Sequence, residues 1–143
     1  MIQEVFVVAY EGEGDEGVLD YAAKRAERDG ARILLVHILE WSPYKFLTQE
    51  ELAQRHKARK DELSRAESQI VAPALARVRK AGVEADCALR YGRVTDLIVE
   101  IAKEAKAAMI FVGRSGGSMA DRVFGSVPIG LAQIAPVPTV IVP

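Results

Sequence analysis

Two glycine-rich segments carry the residue types that could cradle a phosphate-bearing ligand. The first is Gly12-x-Gly14-x-x-Gly17, the spacing of a dinucleotide-binding turn when it follows a strand and opens a helix. The second runs from Gly113 to Ser126, with Gly113, Gly116 and Gly117 early, Gly125-Ser126 late, and Arg114 and Arg122 supplying positive charge. Glycines let backbone N–H groups turn toward an anion, and a helix opening at Ser126 would favour phosphate at its N-terminus. This second segment lacks the Gly-Lys-Ser/Thr ending of a P-loop.

Charge separates the two. In the first, Glu11, Glu13, Asp15 and Glu16 crowd the place where a pyrophosphate would lie. A like-charged pair about 8 Å apart in water repels by about 0.5 kcal/mol before screening. Several such pairs offset the roughly 0.3–1 kcal/mol that a helix N-terminus offers an anion. The acids fit instead the first turn of a helix, where they complement its dipole. An NAD-linked oxidoreductase built on this turn, with Glu40 as its ribose-binding acid, therefore has the context but poor chemistry. At 143 residues the chain is also too short for the two halves of a dinucleotide domain.

The elements that must position these segments alternate. "VFVVAY" (Val5 to Tyr10) reads as a strand, "GVLDYAAKRAERDG" as a helix closing at Gly30, and "RILLVHIL" (Arg32 to Leu39) as a second strand. Thr48 and Glu51 have capping-box spacing. The helix they open carries Leu52, His56 or Ala58, Leu63, Ala66, Ile70, Ala74 and Val78 near a helical period, with Pro73 expected to kink or divide it and Gly82 to end it. "VEADCALRY", a helix opened near Thr95, the almost wholly apolar "AMIFVG", a short helix from about Ser126 to Ile134, and "TVIV" complete the order. Such alternation predicts a single α/β domain over 1–143, with a five-stranded parallel sheet sandwiched by helices. Ligands in such sheets bind beyond the carboxyl ends of the strands where the winding reverses, here the ends of strands one, two and four.

Composition narrows the function classes. A formal net charge of −1, with 27 % charged and 50 % hydrophobic residues, describes an ordinary globular domain without a nucleic-acid footprint. The mixed charges of "RHKARKDELSRAE" read as a solvated helix face. No apolar run approaches a membrane span, and "MIQEVFVVAY" lacks a basic n-region and a cleavage site. The lone Cys87 reads as a small apolar filler and gives no sign of an oxidising compartment. The expectation is a cytoplasmic protein that binds neither membrane nor nucleic acid.

His37 and His56 lie in different elements without a metal-ligand spacing and read as structural. Ser115, Ser118 and Ser126 have no evident base, so no catalytic constellation is assigned and turnover is expected to be slow or absent. Trp41 and Tyr44 flank the loop after strand two. They either cover a base or cover the edge of the core.

Several of these residues together resemble the universal stress protein family, small single-domain members in particular. They are "LLVH" at strand two, the Gly92 turn, "MIFVG" at strand four and the ending "GSVPIGLAQIAPVPTVIV". The resemblance implies the adenine nucleotide alpha hydrolase-like five-stranded fold. It also implies an adenine nucleotide, ATP or AMP, with magnesium accompanying ATP. Carried over by position, the ligand would touch Val8, Ala9, Tyr10 and Glu11 at strand one, Ile38 at strand two, Val112, Gly113, Arg114, Ser115 and Gly116 after strand four, and Gly125, Ser126, Val127 and Pro128 at the last helix.

Three departures stand out. Eight residues separate Gly116 from Gly125, where the family pattern Gly-x2-Gly-x9-Gly-(Ser/Thr) has nine. Tyr10 takes the place of an adenine-contacting aspartate, with Glu11 the nearest acid. Pro128 takes the place of a phosphate-contacting hydroxyl, although proline also suits a first helical turn on its own account. Two functions follow: a nucleotide-responsive regulator in stress adaptation, or a nucleotide-independent interaction module with a degenerate pocket. Family members often dimerise through the last strand, so a homodimer through "TVIV" is expected in either case. Flavodoxin-like carriers and receiver domains share this layer architecture, but neither explains Gly125-Ser126.

Overall fold

Near-continuous apolar runs form the inner strands, because a strand covered by helices on both faces has no solvent side to keep polar. The structure, a computed structural model, describes residues 3–12, 14–40, 48–114 and 126–143. Strand β1 (Val5–Ala9) lies at the centre between β2 (Arg32–Glu40) and β4 (Met109–Gly113), with β3 (Ala85–Gly92) outside β2 and β5 (Thr139–Val142) outside β4. The order is β3-β2-β1-β4-β5 and every pairing is parallel, with Val8 opposite Leu35 on one side and Phe111 on the other.

The period of two along β1 divides the core. Phe6, Val8 and Tyr10 point to the face covered by α1 (Glu16–Asp29) and α3 (Ala72–Lys80), where Phe6 and Phe111 place ring centroids 5.3 Å apart. Val7 and Ala9 point to the face covered by α4 (Val94–Glu104) and α5 (Ser126–Ile134), beside Ile98, Ile101, Ile110 and Leu131. Helix α1 buries Val18, Leu19, Ala22, Ala23 and Ala26 and ends at Gly30, whose left-handed backbone turns its N–H onto the Ala26 and Glu27 carbonyls.

The long helical segment departs from expectation in which of its residues are buried. Its start is as predicted: the Thr48 hydroxyl accepts from Glu51 N–H at 3.1 Å. However, in α2 (Gln49–Ala66) only Ala66 is buried, while Leu52 and Ala58 are exposed and Leu63 half-buried. The periodic pattern is real, but only its second half, Ala74 and Val78 in α3, reaches the sheet. The division expected at Pro73 is present, with Pro73 in the first turn of α3. A π-helical turn, Glu67–Val71, precedes it, and Ala72 N–H reaches the Glu67 carbonyl five residues back. The widened turn accommodates the position where proline offers no N–H. Cys87 is also not core filler, since it lies exposed on the outer strand β3. No helix among the described residues is long and apolar enough to cross a membrane.

Candidate functional site

The sheet winds outward through β2 to β3 on one side of β1 and then crosses to β4 and β5 on the other. That reversal parts the connections at the carboxyl ends of β1, β2 and β4 and opens a cleft there. Its deepest part is a slot lined by Ala9, Tyr10 and Glu11 from β1 and its continuation, and by Asp15 at the head of α1. Val36 and Ile38 of β2, Val94 and Ile98 of α4, and Val112 and Gly113 of β4 complete it. The slot encloses about 20 Å³, room for about one water.

Val94 also borders a separate, open groove of about 360 Å³, a size that suits a small ligand. Glu40, Gly92, Arg93, Thr95, Asp96, Ser126 and Val127 line it. Two helix N-termini therefore border one groove, and Arg93 gives α4 no side-chain cap. Uncapped N–H groups and the positive ends of helix dipoles suit an anion. On the other side of the slot, Asp15 and Gly113 share a recess of about 60 Å³ with Arg114, Gly14, Gly17 and Val142. A wider recess at the opposite end of the sheet has its cations engaged, Arg32 by Asp86 at 3.4 Å and Arg79 by the Ala85 carbonyl at 2.7 Å.

Two carboxyls are the only polar side chains of the slot among the described residues apart from that of Tyr10, which turns into the core under α1. Asp15 is 4 % exposed. Its Oδ2 accepts from Glu11 N–H at 3.2 Å. Burial pushes the Asp15 carboxyl up to about 6, the Glu11 N–H bond opposes this, and the charge of Glu16 adds to it. Burial also raises Glu11, helped by the charges of Asp15 and Glu40. Behind them, His37 is buried and its Nδ1 lies 2.7 Å from the Tyr10 carbonyl, with Nδ1–H donating. Tyr10 N–H donates to the Val36 carbonyl at 2.9 Å. Both backbone groups of Tyr10 are thereby fixed.

The sequence-predicted residues divide accordingly. Ala9, Glu11, Ile38, Val112 and Gly113 line the slot, together with Tyr10, while Ser126 and Val127 line the groove and Arg114 the recess. Val8 is wholly buried in the core under α1 and has no surface in the cleft. Pro128 is buried in the first turn of α5. Ser115, Gly116 and Gly125, with Arg122, Trp41 and Tyr44, lie outside the described residues. Asp15 was missed by sequence reasoning as a site residue. An acid just ahead of a helix reads as a first-turn charge, and only the fold brings it against residue 113.

Sequence comparison covers the whole chain: residues 1–143 match the profile of the universal stress protein family. A universal stress protein from Archaeoglobus fulgidus is 28 % identical, with a TM-score of 0.67 over 100 % of this chain and 96 % of that one. The Archaeoglobus fulgidus universal stress protein in complex with dAMP is 27 % identical, with a TM-score of 0.66 over 100 % of both chains. A family protein from Arabidopsis thaliana with AMP bound shares the fold at 14 % identity, with a TM-score of 0.65 over 97 % of this chain and 90 % of that one. A search of curated protein sequences returned no match.

Proposed function

The chain belongs to the universal stress protein family, and on that premise we propose that it binds an adenine nucleotide, ATP or AMP, in the cleft between β1 and β4 and acts as a ligand-responsive regulator in stress adaptation. The observation that carries this is the cleft itself. Apolar walls from Ala9, Ile38, Val94 and Val112 meet a groove bordered by the N-termini of α4 and α5. Those apolar walls suit the edge of a base rather than its whole ring, and the helix ends with Arg93 suit a phosphate. The relative complexed with dAMP supports the choice of ligand class. Magnesium would enter with the phosphates of ATP. Little or no turnover is assigned, and the cytoplasm is the compartment that supplies such a ligand.

The test is to denature the purified protein, identify any released small molecule by mass spectrometry, and record melting curves with ATP and AMP. Co-purified adenine nucleotide, or a melting shift that Gly116→Asp abolishes, is expected. An empty protein with flat curves would overturn the proposal in favour of the nucleotide-independent module.

A second assignment concerns assembly. Strand β5 ends the sheet, and Ile141 on it is 38 % exposed; Ile129 and Ile134 of α5 are also exposed. Unpaired strand edges with apolar side chains are normally covered. A homodimer through β5 is the arrangement proposed to cover this one.

A further inference from the structure

We propose that Gly130, inside α5, is a positioning residue for the phosphate of the nucleotide. By letting the first turn of α4 close against the first turn of α5, it sets the width of the groove that the two helix N-termini share. This rests on adenine-nucleotide binding as proposed above and names the contact that fixes the spacing of the phosphate-facing end.

Three observations carry it. First, nothing in the backbone asks for glycine at 130. The residue lies within the helix Ser126–Ile134 and is not among the glycines with positive φ, and a glycine inside a helix destabilises it relative to alanine. Second, a neighbouring side chain does ask for it. A β-carbon on Gly130 would fall 2.9 Å from Thr95 Cγ2, 3.1 Å from Thr95 Oγ1 and 3.5 Å from Thr95 Cβ. Both branches of the threonine face the place that glycine leaves open, and a β-branched side chain in a helix has little freedom at χ1 to turn them aside. Third, the contact sits at the groove. Thr95 lines it, and so does Ser126, four residues before Gly130 and hence on the same face of α5. Beneath them, Ile98 of α4 belongs to one buried cluster with Val127 and Leu131 of α5. The core holds the two helices together from below, and the contact between Gly130 and Thr95 sets their separation at the level of the groove.

Electrostatics make that separation matter. Arg93 and the two helix ends favour an anion, whereas Glu40 and Asp96, which line the same groove, oppose one. The influence of a helix end falls off within its first turn, so a phosphate gains from both ends only where they lie close together. Alanine at 130 would either part the helices or turn Thr95, and each alters the lining against which a phosphate sits. The slot has no residue of α5 in its described lining and is touched only through Val94 and Ile98 of α4.

The experiment compares AMP with adenosine, which lacks the phosphate, by calorimetry. Gly130→Ala is placed in the wild-type, Thr95→Ser and Thr95→Ala backgrounds, and each protein is compared with its own Gly130 parent after its melting transition has verified folding. In the wild-type background Gly130→Ala is expected to weaken AMP about fivefold and adenosine by less than about twofold. The loss of AMP affinity should decline from wild type to Thr95→Ser to Thr95→Ala, as first Cγ2 and then Oγ1 is removed, because the two positions share one clash. Should Gly130→Ala alone fail to fold, the two other backgrounds still decide, with the larger loss expected in Thr95→Ser. An equal loss of AMP and adenosine, no loss of either, or a loss of AMP affinity that is the same in every background would overturn the assignment while leaving nucleotide binding intact. Failure of AMP, ATP and adenosine to bind the wild-type protein would overturn both.

Discussion

Asp15 and Gly113 are in contact across the cleft, the head of α1 against the end of β4. A β-carbon placed on Gly113 would fall 2.5 Å from Asp15 Oδ1 and 3.2 Å from Val18 Cγ2. A β-carbon at 113 would therefore force the Asp15 carboxyl, which lines both slot and recess, or its neighbour Val18 to shift. Local backbone and site geometry are joined at this one pair.

Gly113→Ala should consequently destabilise the fold by about 1–3 kcal/mol through overpacking. Most of that loss should be recovered in Gly113→Ala combined with Asp15→Gly, because the two sites share the clash. Denaturant unfolding of the four proteins measures the coupling. Strict additivity of the two single changes would show that the contact does not set the geometry.

The same carboxyl makes stability depend on pH. The folded-state value of Asp15, about 6, lies above its ordinary 3.8, so the folded protein holds the proton more tightly than the unfolded chain. The stabilisation is fully present below the unfolded value and is lost as pH rises through about 6. Glu11 is shifted in the same direction. Asp15→Asn, whose side-chain oxygen can still accept from Glu11 N–H, should therefore be more stable than wild type at pH 7.5. The order of magnitude is about 1–3 kcal/mol, and the difference should shrink toward pH 4. An equal difference at both pH values would exclude the ionisation of Asp15 as its source.

His37 supports the cleft from beneath. Removing its hydrogen bond to the Tyr10 carbonyl leaves a buried acceptor unpaired, at a cost of about 1–3 kcal/mol. His37→Leu should show that loss in thermal melts and also weaken nucleotide binding. His37→Gln, with a side-chain N–H that can reach toward the carbonyl, should recover part of both. Equal melting temperatures for wild type and His37→Leu would mean that the bond contributes nothing.

The fold was legible because the strands are written in apolar runs that only a doubly covered sheet accommodates, as in "VFVVAY" and "MIFVG". The strand-one site was half legible. The alternation Phe6, Val8, Tyr10 already assigns Tyr10 to one face with its neighbours, so its side chain, like that of Val8, could have been placed in the core rather than the cleft. Asp15 was not legible, since its role depends on residue 113 lying against it, 98 positions along the chain. Nor was the exposure of the first half of the long helix. A helical period reports a face able to pack, and Leu52 and Ala58 carry the period yet are exposed among the described residues.

The edge strand supplies the last prediction. In the isolated chain Ile141 of β5 is 38 % exposed, while Thr139, Val140 and Val142 are half-buried against their neighbours. A lysine at 141 would place a charge in any interface that covers this edge without touching the slot, whose described lining includes no residue of β5. Charged edge residues are also a common natural barrier to strand pairing. Ile141→Lys should therefore lower the mass measured by light scattering from dimer to monomer at micromolar concentration, with the melting shift caused by AMP retained. A wild-type protein that is already monomeric would remove the dimer from the proposal. A variant that stays dimeric would direct the search to another surface, with the exposed Ile129 and Ile134 of α5 as its first candidates.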